Sequence, residues 1–81
     1  MRINLVETAN SLVNATIIRD HLLVVKNIKR LGNELLEVKD IEEIERAKLV
    51  VKILSSEFEE AIISLMDQRI KELRELIYLN K

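Results

Sequence analysis

From Ile44 to Ile77 apolar side chains return every three or four residues without a gap: Ile44, Ala47, Val51, Leu54, Phe58, Ile62, Met66, Ile70, Leu73 and Ile77. The mean step is roughly 3.67 residues, the period of an eleven-residue repeat and not of a heptad. A strand would alternate at every second residue, so a row of this spacing is wound as helix. Such a helix stays nearly straight or supercoils slightly right-handed, which disfavours a strict leucine zipper. Little in the chain punctuates it: proline is absent and Gly32 is the only glycine among 81 residues. The expected fold class is all-α.

The first part of the chain reads the same way. A helix is expected over about residues 5–31, with Asn4 as its N-cap and Glu7 at the third helical position. Val6, Ala9, Val13, Ile17, Val24, Ile28 and Leu31 keep a helical period, and only Asp20 interrupts the row. Lys29 and Arg30, followed by Gly32-Asn33, signal a helix end, so a bend is expected between Gly32 and Asp40, with a short helical turn inside it. Asp40 then opens a second helix over about residues 41–79, with Glu42 and Glu43 filling its acidic first turn. Ser55-Ser56 is the soft spot, because Ser56 with Glu59 makes a capping pair; a break there gives a three-helix bundle instead. The apolar row keeps its phase across the serines, so the favoured architecture is an antiparallel hairpin of two helices.

That hairpin is unbalanced. At 1.5 Å per residue the second helix spans about 58 Å and the first about 40 Å, leaving an overhang of roughly ten residues. The overhang carries Ile70, Leu73, Leu76, Ile77 and Leu79, and Val50, Ile53, Ala61 and Leu65 widen the stripe beyond what one neighbour covers. Cysteine is absent, so neither a disulfide nor a thiolate metal site reinforces so small a domain. Association is the remaining source of buried surface. The expectation is therefore a single helical domain, residues 1–81, that dimerises as a four-helix bundle. Its core and dimer interface would use Ile44, Val51, Leu54, Phe58, Ile62, Met66, Ile70, Leu73 and Ile77.

Chemistry has few footholds here. The chain lacks a glycine-rich phosphate loop, a nucleophile elbow, a zinc motif and a cofactor fingerprint, so no enzyme, cofactor or metal site is expected. In Arg19-Asp20-His21, neighbouring side chains on a helix point about 100° apart and cannot serve one target. Asp20 is expected in the core row, paired with Lys52 or Ser55, and Asp20→Leu is expected to raise the melting temperature. Arg69 is expected beside Glu7.

The net charge of −1 gives no global pull toward nucleic acid or membrane. The apolar run Leu22–Val25 is far shorter than the ~20 residues of a bilayer span. Residues 1–20 hold no apolar signal-peptide core, which with the missing cysteines points to the cytoplasm. The expected function is a protein–protein interaction module (an adaptor, a small regulator or an assembly subunit) whose partners are a copy of itself and another protein. The alternative is a small nucleic-acid-binding helical dimer, with Arg19, Lys26, Lys29 and Arg30 as phosphate contacts. Against it, Glu42, Glu43 and Glu45 lie among the basic residues and no exposed aromatic is at hand to stack on bases.

Overall fold

The computed structural model describes residues 4–54 and 57–79, and within them the chain is all-α. Helix α1 covers Leu5–Ile17, α2 His21–Glu37, α3 Ile41–Val51 and α4 Glu57–Leu79, with a 3-10 turn at Lys52–Leu54 extending α3. Asn4 caps α1 as its sequence suggests, accepting from the Glu7 N–H at 3.1 Å. The bend also falls in the expected window, but later than the glycine: α2 runs straight through Gly32 and ends at Glu37.

The expected first helix over residues 5–31 is two helices. At the end of α1 the Asp20 N–H reaches back to the Ala15 carbonyl at 3.0 Å and the Arg19 N–H to that of Thr16 at 3.2 Å. Arg19 takes a left-handed conformation, φ 58°. This is a Schellman stop, which usually places glycine where Arg19 stands. Asp20 then turns outward as the N-cap of α2, its carboxylate accepting from the Leu23 N–H at 3.1 Å. The residue expected in the core, paired with Lys52 or Ser55, is thus an exposed cap. Asp20 interrupts the apolar row because the helix ends there.

The expected second helix over residues 41–79 is also divided. Lys48 Nζ lies 2.5 Å from the Asp67 carboxylate, and Arg74 lies 3.6 Å from Glu45. Residues 19 and 29 apart would be some 28 and 43 Å apart along one continuous helix. The chain therefore doubles back between Val51 and Glu57, and α4 returns antiparallel to α3. Ser55-Ser56, where the alternative break was expected, lie outside the described residues. The described residues form four α-helices, not the two or three read from the pattern.

One core unites them. Leu5, Ala9 and Leu12 from α1, Leu31 and Leu35 from α2, Ile44, Ala47 and Val51 from α3, and Ile62, Met66, Ile70 and Leu73 from α4 are buried together. The folded chain is flat, with principal extents of 46 × 28 × 16 Å. Polar groups fasten α1 to its neighbours. The buried Thr8 hydroxyl donates to the Glu34 carboxylate of α2, and Glu43 of α3 accepts from the Leu5 N–H at 2.9 Å. Glu43 thus supplies a negative charge to the positive end of α1, while Asp40 alone caps α3 through the Glu42 N–H.

The α1–α2 stop makes two opposite predictions. Arg19→Gly removes the left-handed penalty and is expected to stabilise the chain by about 1 kcal/mol, near 5 °C in melting temperature. Asp20→Ala removes the cap and is expected to destabilise by a similar ~1 kcal/mol. Thermal unfolding followed by circular dichroism measures both; Asp20→Leu should also lower the melting temperature, the reverse of what its place in the row suggests.

Candidate interaction surface

Where the expected interface residues lie changes the question of what is left over. Ile44, Val51, Ile62, Met66, Ile70 and Leu73 are buried inside one chain, and Leu54 packs partly buried against them. The Phe58 side chain lies outside the described residues. Ile77 remains 54% exposed. The long overhang is reduced: Glu45, one turn into α3, already pairs with Arg74, and what stays exposed is the last turn of α4, Leu76, Ile77, Tyr78 and Leu79.

A second apolar row becomes visible on the outside of α2. Leu22 is 86% exposed, Val25 is exposed, and Leu36 is 71% exposed. With Lys29 and Gly32 between them, these residues follow the alternating three- and four-residue spacing of a helix–helix contact stripe. Nothing lies within 4 Å of the space a side chain at Gly32 would enter, so the middle of this stripe is shallow and open. Leu22, Val25 and Leu36 belong to none of the inner rows expected from the sequence. Their own heptad spacing was the available signal, hidden because the expected helix over 5–31 stops short of Leu36 and cuts the row.

The outer face of α4 carries a matching row. Leu65 and Leu76 are exposed and Leu79 is 77% exposed, with Arg69 and Glu72 between them at steps of four, three, four and three. The two rows meet at one place. Gly32, Leu36, Leu65, Gln68, Arg69 and Glu72 line a single shallow groove between α2 and α4.

Arg69 holds that meeting point. Its guanidinium donates to the backbone carbonyls of Leu36 and Val38, both at 3.1 Å, and to the Glu72 carboxylate at 3.3 Å. The last carbonyls of a helix lack partners within it and carry partial negative charge, which a cation answers. Arg69 is thus a clamp from α4 onto the end of α2, not the partner of Glu7 that the hairpin suggested. Its buried Nε makes no hydrogen bond.

The basic residues do not form one strip. Arg19 sits in the turn between α1 and α2, off the helical face that was to join it to Lys26 and Arg30. Arg30 lies 3.7 Å from Glu34. Lys26 and Lys29 are exposed on α2 and have no ion-pair partner among the described residues. No helix of the described residues is long and apolar enough to cross a membrane. No family model, curated protein or solved structure matches this chain, so its own residues carry the functional reading.

Arg69→Ala is expected to destabilise the chain by about 2 kcal/mol, because it strips a charged donor from two carbonyls at a partly buried helix end. Urea unfolding at constant slope would register that loss as a lower midpoint.

Proposed function

We propose that this chain is a protein–protein interaction module that works first as a homodimer, serving as an adaptor, a small regulator or an assembly subunit. The observation that carries this reading is the amount of large aliphatic surface left uncovered after the single-chain core has formed. Leu22, Leu36 and Leu79 each keep more than two thirds of their surface exposed, and Leu65 and Leu76 about half. Scattered exposed leucines are ordinary. Here they lie in helical rows that meet in one groove, which is the pattern of a contact face.

A flat, thin molecule covers such rows by pairing face to face, and a pair so formed is a helical bundle with helices from both copies in the shared layer. The dimer read from the sequence is retained, but its contacts move from the row Ile44–Ile77 to the outer faces of α2 and α4.

The nucleic-acid alternative has less behind it, since Arg19 stands apart in a turn and Arg30 is paired with Glu34. Size-exclusion chromatography with light scattering tests the main reading directly. A mass twice that of the chain at micromolar concentration is expected, dissociating on dilution; a strictly monomeric protein at high concentration refutes it.

A further inference from the structure

The net charge of −1 averages over an uneven distribution. From Thr8 to Asn33 the ionised side chains are Arg19, Lys26, Lys29 and Arg30 against a single carboxylate, Asp20, with His21 neutral. Four cations less one anion leave +3 in that region, so the rest of the chain carries −4. The same region holds a run of exposed aliphatic side chains. All seven residues from Ile17 to Leu23 are exposed, with Ile17 at 68%, Ile18 at 66% and Leu22 at 86%. They form the tip at which α1 stops and α2 starts, a turn held by the left-handed Arg19 and the Asp20 cap. We propose that this tip docks on the surface of an anionic phospholipid membrane, Ile17, Ile18 and Leu22 entering the acyl boundary while Lys26, Lys29 and Arg30 meet lipid phosphates.

The apolar and cationic groups share one side of the molecule. On α2, Leu22, Val25, Lys26 and Lys29 are all exposed, and steps of three and four residues put them on one helical face. Beside the tip, Ile18 and Leu23 line a groove between α1 and α2 together with Asn14, Lys26 and Arg30. Aliphatic and cationic side chains thus lie next to each other, as acyl chains and phosphates do in a lipid leaflet. Interfacial anchoring of this kind needs two signals, an apolar element that enters the leaflet and a basic patch held by its charge. Arg30 lies beside Glu34, whereas Lys26 and Lys29 have no ion-pair partner among the described residues.

Charge decides against a second tip as the occupant. Two tips brought together would set Lys26, Lys29 and Arg30 against their own kind, which opposes association. A membrane supplies the opposite charge over a surface that yields to a projecting turn. A nucleic acid would match the cations but leave Ile17, Ile18 and Leu22 in water, and no aromatic side chain stands among them to stack on bases. The docking is separate from self-association: of the three entering side chains only Leu22 also lies in the α2 row.

Co-sedimentation of the intact chain with lipid vesicles tests the proposal. Binding is expected to phosphatidylcholine vesicles containing roughly one third phosphatidylglycerol, to be absent on phosphatidylcholine alone and to weaken as salt is raised. Lys26→Gln and Lys29→Gln should each weaken it about fivefold. Ile18→Ser removes an entering side chain and no charge, and should weaken it by a similar factor. Tyr78→Ser is the control. Leu5 bonds to Glu43 and Glu45 pairs with Arg74, so the first turns of α1 and α3 and the last turns of α4 share one end of the molecule, opposite the tip. Tyr78 is 79% exposed at that end, and its replacement should leave vesicle binding unchanged. Circular dichroism reports that each variant is folded, and light scattering that its mass equals the wild type's. No binding to the anionic vesicles at low salt overturns the proposal, as does binding that Lys26→Gln and Ile18→Ser leave unchanged. A fall in mass with Ile18→Ser assigns the tip to self-contact, and binding of a duplex oligonucleotide but not of the vesicles assigns the cations to nucleic acid; either result also overturns it.

Discussion

The stripe from Ile44 to Ile77 reaches a common core because the chain reverses between Val51 and Glu57. Without that reversal α3 and α4 would form one rod, and Ile62, Met66, Ile70 and Leu73 would lie far from Leu5, Leu12 and Leu31. With it, both halves of the stripe face inward and the four residues from α4 are buried. The exposed ion pairs Lys48–Asp67 and Glu45–Arg74 mark the alignment. They add little energy themselves, since such pairs at the surface are worth at most about 1 kcal/mol. The apolar burial sets the energy, and the pairs record its register.

Closing the core in this way exhausts the residues that seemed destined for a partner and exposes others. Each helix that turns its inner face to the core presents an outer face, and the outer faces of α2 and α4 are not purely polar. Arg69 joins the two by holding the end of α2 against α4. It therefore has two consequences: it completes the fold, and it brings the two outer rows to one groove. A change at this side chain alters stability and surface geometry together, which is why stability and association have to be measured separately.

Much of the fold was legible. The helical class, the capping roles of Asn4 and Asp40, the bend before residue 41 and the inward side of α4 all follow from local rules, and local rules are written in the chain. The stop between α1 and α2 was not legible, and the reversal after α3 was legible only as the alternative break at Ser55-Ser56, for different reasons. Arg19 ends α1 in a conformation normally given to glycine, so the usual marker is missing, and Asp20 reads equally as a core polar residue or as a cap. The reversal after α3 leaves no mark in the apolar period, because two helices packed on the same core, one returning on the other, can keep a single phase through the link. The outer row on α2 was hidden for a related reason: a helix taken to span residues 5–31 stops short of Leu36 and cuts the row that begins at Leu22.

The sequence by itself determined that this chain is helical, that its core is aliphatic and unsupported by disulfides, and that its apolar side chains lie in rows. Those properties depend on residues a few positions apart, where spacing and side-chain chemistry suffice. Only the tertiary structure decided which rows turn inward and which remain outside. That choice depends on where the chain reverses, and a helical period is the same whether the next turn continues the rod or begins the way back.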